Sequence, residues 1–554
     1  MSVTIRIAGE AGQGVLTTGG LLVEAFAELG LHVAATRSYM SRIRGGLNWY
    51  DVRIGEEPLF AGTPKADLLV ALTDAALDTL REEVVDGGLV LYNGAEAGDA
   101  IAIDLASVAK EVGGSELYVN TVATGAVLGL LGYDLDALEA LLGKEFAKKG
   151  PEVVSANRAC ARKGAELVAG SAGTLQAPKP GGRAGSVYDG ATAIGLSAAT
   201  AGVKFVTAYP MTPGTATFAY LAGVADRYGI VVEQAEDEIA AVNMLCGAAY
   251  AGAPALTATS GGGFALMAEG LSLAGIMELP MLVVVAQRPG PATGLPTRTA
   301  QQDLSFALSA GHGEFPRAIF APGSVRQCYD LTRRALATAH KFQTPVILLT
   351  DQFLQDLEQT VGELPDEPRP IDRHVVAEPA DNYVRYELTD SGVSPRAIPG
   401  GAALVVCDSD SHTADGHLSE DLDAHVAQQD KRMRKLAGMT AEGLAPERYG
   451  PDRAETLLLT WGSTYGPARE AIDLLAAAGE SAAMLHFAQL WPLDAQAVRA
   501  AIGEPGEIVS VEGNATGQLA SLLRSIGALD DCELCLRYDG LPFTGIGLAE
   551  RIRP

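Results

Sequence analysis

Cysteine and positive charge are both scarce in this chain of 554 residues. Its six cysteines, Cys160, Cys246, Cys328, Cys407, Cys532 and Cys535, are scattered. Only Cys532 and Cys535, in C-E-L-C, stand close together, and two thiols cannot supply the four ligands of an iron–sulfur cluster. They are read as structural, and the cysteines without a partner at ligand spacing as the reduced thiols of a cytoplasmic protein. Lys and Arg number 41 against 68 Asp and Glu, a net charge of −27, which argues against a nucleic-acid partner and against an anionic membrane surface. An uninterrupted apolar run is missing too. Ile239 to Gln287 holds only Glu269 and Glu278 as charges, but G-A-P, S-G-G-G and E-L-P break it, so a buried core is expected and not a membrane span. No basic, apolar leader precedes M-S-V-T-I-R-I, which itself reads as a strand. No short-period repeat is present.

What is present is apolar residues, at 48%, and 64 glycines. Large cores, tight turns and close backbone approaches follow from that composition. The length prior gives roughly three or four domains of about 150 residues each. Strand and helix patterns alternate from T-I-R-I-A-G-E and G-V-L-T-T-G-G-L-L-V-E-A-F onward, which predicts an α/β domain with a mostly parallel sheet over 1–175. The stretch 176–185, rich in Gly and Pro, reads as a linker. A second α/β domain is expected over 186–365, with strands at V-K-F-V-T-A-Y, A-L-T-A-T-S, M-L-V-V-V-A and P-V-I-L-L-T-D. An irregular arm follows over 366–450, and a third α/β domain over 451–554, with T-L-L-L-T-W, A-A-M-L-H-F and E-I-V-S-V-E as strands. The fold class is therefore α/β, three such domains in series.

In the first domain the turn G-E-A-G-Q-G (Gly9, Gly12, Gly14) separates a strand from a helix, a place where backbone N–H groups hold an anion. Its order is not the G-x-G-x-x-G of a dinucleotide site, and the next strand ends in Arg37 where an acid would take a ribose hydroxyl, so NAD is disfavoured. A plain tight turn is as good a reading as an anion site. In Y-M-S-R-I-R-G-G, Arg42 and Arg44 beside bare glycine backbone suit a phosphate or carboxylate.

The second domain carries four segments in order: A-Y-P-M-T-P-G-T-A-T, Q-A-E-D-E, T-S-G-G-G-F-A-L-M and A-Q-R-P-G-P-A-T-G-L-P-T-R-T-A-Q-Q-D-L. Each follows a strand or opens a helix, so all four should meet at one edge of the sheet, where open α/β sheets bind ligands. In Q-A-E-D-E, Glu236 and Asp237 are assigned to capping the next helix. Glu238 shares a helical face with Ala241, Val242, Leu245 and Ala249. A carboxylate on such a face is either costly or employed.

These segments resemble the α subunit of the 2-oxoacid:ferredoxin oxidoreductases, thiamin-diphosphate enzymes that decarboxylate 2-oxoacids and pass the acyl group to coenzyme A. Residues 1–175 resemble the γ subunit of the same family, fused in front, and the closing segment with V-E-G-N-A-T-G-Q resembles the transketolase C-terminal-like domain. P-G-T in place of the usual P-S-T after Thr212 is a departure. The resemblance implies that the middle domain binds the pyrimidine side of thiamin diphosphate, with Glu238 hydrogen-bonding the aminopyrimidine ring. It places Thr212 and Arg288 near cofactor and substrate, and Arg288 with Thr297 on the 2-oxoacid. Arg42, Arg44, Gly12 and Gly14 become candidates for covering coenzyme A. No G-D-G occurs in the chain, so a separate β subunit is expected to bring the Mg²⁺ and pyrophosphate site and the iron–sulfur cluster, with no metal site here. Ferredoxin is the expected electron acceptor and a dimer of heterodimers the expected assembly. The γ–α fusion and the arm, with S-P-R-A-I-P-G and G-H-L-S-E-D, resemble the 2-oxoglutarate branch of the family more than the pyruvate branch, which implies 2-oxoglutarate as substrate. Branched-chain 2-oxoacids or pyruvate remain alternatives, as do a transketolase-like enzyme without electron transfer and a non-catalytic scaffold subunit.

Overall fold

The computed structural model describes residues 1–10, 12–38, 46–96, 98–182 and 184–553. The chain divides into two compact units. One holds Met1–Tyr188, Asp356–Glu363 and Thr544–Gly547, and the other holds the rest.

The first unit is built on an eight-stranded sheet, in the order Ile101–Ile103, Val84–Asn93, Ala66–Ala71, Ser2–Glu10, Leu47–Gly55, His32–Ser38, Glu358–Val361, Ser186–Tyr188. The sheet is mixed, which corrects the expectation of a mostly parallel one. The strand Leu47–Gly55 runs antiparallel to both Ser2–Glu10 and His32–Ser38. Its sequence, L-N-W-Y-D-V-R-I-G, alternates sides and buries Tyr50, Val52 and Ile54 while Asp51 and Arg53 face the other way, so it lacks the apolar run by which buried strands are recognised. The strands Ser186–Tyr188 and Glu358–Val361, assigned by the sequence reading to the middle domain, pair with each other here. Glu358 explains the attachment, because it accepts from Tyr50 Oη at 2.5 Å and forms an ion pair with Arg37.

The second unit contains two sheets. The larger has the order Gln489–Trp491, Ala318–Phe320, Pro345–Asp351, Met281–Gln287, Ala255–Thr259, Phe205–Ala208, Val231–Gln234. All neighbours are parallel except the edge strand Gln489–Trp491, which runs antiparallel to Ala318–Phe320. Met281–Gln287 and Pro345–Asp351 are buried along their whole lengths, as parallel strands covered on both faces must be. The smaller sheet orders Glu447–Tyr449, Ala482–Phe487, Thr456–Trp461, Glu507–Glu512 and Glu533–Leu536. One apolar cluster runs from Ala241 and Val242 through Val283 and Ile347 to Trp461 and Leu519.

The arm is not without structure. Its helix Leu422–Ala441, capped by Asp421, buries Lys431 and Lys435 completely, and both ammonium groups lie 2.5 Å from the carboxylate of Glu278. Burial alone would raise the Glu278 carboxyl, but Lys435, Lys431 and Arg385 outweigh it and hold it well below the usual range. No helix among the described residues is long and apolar enough to cross a membrane.

Candidate functional site at the carboxyl edge of the middle sheet

Three of the four segments follow directly on strands of the larger sheet. Thr212 follows Phe205–Ala208, the glycine run follows Ala255–Thr259, and Arg288 follows Met281–Gln287. The Q-A-E-D-E segment closes Val231–Gln234 and opens the helix Glu238–Tyr250. Asp237 is the cap, its side chain accepting from Ala240 N–H at 2.7 Å, a contact of about 1 kcal/mol. Glu236 is exposed and takes no part in the cap, contrary to expectation. Glu238 is 3% exposed, on the face with Ala241, Val242, Leu245 and Ala249 that helical spacing assigned to it.

The Glu238 carboxylate points at bare backbone. A Cβ added to Gly263 would stand 2.5 Å from Glu238 Oε1 and 2.2 Å from Thr259 Oγ1. Oε1 is buried and has no hydrogen-bond partner. A buried acceptor without a donor costs about 1–3 kcal/mol, so this atom is held ready for a group that this chain's own side chains do not supply.

Arg288 is half-buried, and burial lowers its pKa. One nitrogen donates to the carbonyl of Thr212 at 2.6 Å, so the structure joins these two predicted residues through the Thr212 backbone. Gly214, two residues on, packs against Thr259. A Cβ there would lie 2.7 Å from the Thr259 carbonyl oxygen, which gives the P-G-T departure a packing reason in this chain. Arg288 also lines a cavity of about 240 Å³ with Ser260, Gly261, Gly262, Ala292, Asp303 and Phe306. Thr297 is not among the residues lining it. It sits in the turn closed by Arg298 N–H onto the Leu295 carbonyl at 3.1 Å.

Gly12 and Gly14 lie in the first unit with φ of 90° and 78°. Gly14 caps the helix Val15–Glu28, and a Cβ on it would collide with the Asn120 side chain at 2.2 Å. Arg42 and Arg44 lie outside the described residues. Among the described residues, no three His, Cys, Asp or Glu side chains gather at a spacing that would hold a metal ion. The six cysteines are free, with Cys532 and Cys535 partly buried.

Sequence reasoning missed a clamp. Gln301 N–H donates to the Gly513 carbonyl at 2.7 Å, and Gly513 N–H returns to Gln301 Oε1 at 2.8 Å. Gln301 Nε2 reaches the Trp461 carbonyl at 2.6 Å, and Asn514 Nδ2 reaches the Gln301 carbonyl at 3.0 Å. V-E-G-N-A-T-G-Q thus works as a structural brace on the loop that carries Arg288. Glu512 is itself buried, taking hydrogen bonds from Trp461, Asn514 and the backbone of Leu519 and Ala520.

A largely parallel α/β sheet with a buried unpartnered carboxylate and an arginine-lined cavity at its carboxyl edge, followed by a second, largely parallel sheet whose loops brace the cavity loop, is the arrangement of a ligand-binding α/β subunit. The family models agree in order. "Pyruvate ferredoxin/flavodoxin oxidoreductase" matches residues 4–167, "Pyruvate flavodoxin/ferredoxin oxidoreductase, thiamine diP-bdg" matches 197–431, and "Transketolase, C-terminal domain" matches 449–529. Over its whole length the chain is 30% identical to the 2-oxoacid:ferredoxin oxidoreductase subunit alpha of a Sulfolobus species, covering 96% of that protein. It is 31% identical to the 2-oxoglutarate oxidoreductase subunit KorA of Mycobacterium tuberculosis, again over all of this chain and 91% of that one. The solved 2-oxoglutarate:ferredoxin oxidoreductase from Magnetococcus marinus, with 2-oxoglutarate, coenzyme A and succinyl-CoA bound, matches with a TM-score of 0.93 at 32% identity, over 100% of this chain and 99% of that one. The chain belongs to the 2-oxoacid:ferredoxin oxidoreductase family, as an alpha subunit with the γ-like region fused in front.

Proposed function

We propose that this chain, assembled with a separate β subunit, carries out the oxidative decarboxylation of 2-oxoglutarate to succinyl-CoA, with ferredoxin as electron acceptor. The observation that carries the reading is Glu238, a buried carboxylate with an orphaned oxygen facing the bare backbone of Gly263. A flat heteroaromatic ring with an N–H donor fits that cradle, and a side chain at Gly263 would fill it. Glu238 would hold the aminopyrimidine of thiamin diphosphate, and Thr212 and Arg288 would flank it. When bound, the cofactor supplies the carbon nucleophile and the electron sink that decarboxylation needs. Glu238 holds the proton relation to the ring, in a dry pocket where such a hydrogen bond is strong. Arg288 presents a guanidinium to the carboxylate beside the keto group, with Thr297 as a second contact once substrate and partner are in place. Coenzyme A would contact the γ-like region, with Gly12, Gly14, Arg42 and Arg44 as candidate residues. Mg²⁺ and the iron–sulfur cluster belong in this reading to the β subunit, in a dimer of heterodimers, and free thiols suit a reducing cytoplasm.

The choice of 2-oxoglutarate rests on the relatives named for it and on a half-buried arginine in a cavity with room for a short dicarboxylate. Steady-state rates of the co-expressed complex on 2-oxoglutarate, pyruvate and 2-oxoisovalerate check it, with the highest kcat/KM expected on 2-oxoglutarate. A preference for pyruvate or 2-oxoisovalerate overturns it. Arg288→Lys keeps the charge but loses the planar fork, and is expected to reduce kcat/KM on 2-oxoglutarate by roughly 10- to 100-fold.

A further inference from the structure

The cavity that holds Arg288 contains a second ionisable side chain, and the reaction as described gives it nothing to do. Asp303 stands at the N-cap of the helix Leu304–Ser309, where an aspartate ordinarily accepts from the first free N–H groups. Here it makes no capping hydrogen bond, and its Oδ2 is buried without a partner. The carboxylate lies over the glycine run instead, since a Cβ on Gly261 would be 2.6 Å from each of its oxygens. The segment S-G-G-G therefore runs between two carboxylates, with Glu238 at Gly263 and Asp303 at Gly261. Asp303 is tied to the Arg288 loop, its N–H donating to Gln287 Oε1 at 2.9 Å, while Gln302 Nε2 donates to the Arg288 carbonyl at 3.0 Å. The Ser260 hydroxyl, fully buried and also unpartnered, lines the same cavity.

We propose that Asp303 is a specificity-determining acid of the substrate pocket, which takes up a proton when the anionic 2-oxoacid enters and donates it in a hydrogen bond to the substrate. This rests on the cavity being the 2-oxoacid site. The step is a protonation of one carboxylate by solvent, and no other bond changes. An ionised Asp303 beside an entering carboxylate would repel it, whereas the acid form supplies the donor that a buried carboxylate lacks. Burial raises Asp303 to about 6. The charged groups around it are few. Arg288 lines the same cavity, Arg298 precedes Asp303 in its own loop, and Glu238 meets the glycine run at Gly263, while burial is the cause of the Asp303 shift. The helices Gly261–Leu266 and Leu304–Ser309 carry no charge. A bound anion raises Asp303 further. Substrate affinity is therefore full below about pH 6 and falls as pH rises above it, by up to about tenfold per unit until the pKa of the complex is passed.

The test is calorimetric titration of the α–β complex with N-oxalylglycine, an unreactive 2-oxoacid mimic, at pH 7 in two buffers of different ionisation enthalpy. The wild-type complex is expected to take up roughly half to one proton per mimic bound. Asp303→Asn, which keeps a neutral donor, is expected to take up none and to bind with an affinity that no longer changes between about pH 6 and 8. No uptake in the wild type, or equal uptake in Asp303→Asn, overturns the proposal. If Arg288→Ala binds the mimic as tightly as wild type, the cavity is not the 2-oxoacid site, and both the site reading and this proposal fall.

Discussion

Glu238→Gln is expected to lower turnover of the assembled enzyme by on the order of 100-fold or more while leaving the fold intact. The size follows from removing one preorganised charged contact from a water-excluded site. The intact fold follows from the geometry of this chain. Oε1 is buried and unpartnered, so the substitution breaks no hydrogen bond to it, and an amide has the same shape against Gly263. It also removes a buried charge, so thermal stability of the free chain should hold steady or rise. Turnover of Glu238→Gln in the complex, measured beside the melting temperature of the isolated chain, checks both halves. Near-normal turnover removes Glu238 from the chemistry, and a collapse of the melting temperature would mean that its role is structural.

The part of this site legible in the sequence is the part carried by local pattern. Helical spacing gave Glu238 its buried face, and apolar runs such as M-L-V-V-V-A marked the strands whose ends hold Thr212, the glycines and Arg288. What was not legible depends on residues far apart in the chain. Asp303 stands in plain view in Q-Q-D-L, but nothing local says that its carboxylate abandons the helix cap for Gly261. Gln301 could not be read as a brace because its partners, Trp461 and Gly513, lie 160 and 212 positions away. The strand Leu47–Gly55 was missed for a different reason. Its alternation, with Asp51 and Arg53 on one side, has the pattern of a sheet edge rather than of a buried parallel strand, yet it sits between two neighbours and turns the first sheet mixed.

Glu278→Gln is expected to destabilise the chain by about 3–5 kcal/mol, the cost of breaking a buried ion pair from one side. Glu278 is 1% exposed, accepts a hydrogen bond from Lys431 and forms ion pairs with both Lys431 and Lys435, whose side chains are 0% and 1% exposed. Both lysines come from the arm helix Leu422–Ala441, and their further contacts, Lys431 with Ser394 and Lys435 with the Gln343 carbonyl, do not neutralise them. Arg385 adds a third buried cation, donating to the Glu278 carbonyl at 3.0 Å. Without the carboxylate, three positive groups remain in one dry region with no counter-charge. Lys435→Met leaves Glu278 paired with Lys431 and fills the space with an apolar chain, so it should cost less than Glu278→Gln. The pH profile has a definite sign. The carboxyl is held below its usual range in the folded chain, so its stabilisation is complete above the ordinary glutamate pKa and is lost as pH falls toward the folded value. The excess stability of wild type over Glu278→Gln, measured by urea unfolding, should accordingly shrink in acid and be largest near neutral pH. Equal stabilities at pH 7, or a greater loss from Lys435→Met than from Glu278→Gln, would show that the arm is held by its apolar contacts and not by this charge cluster.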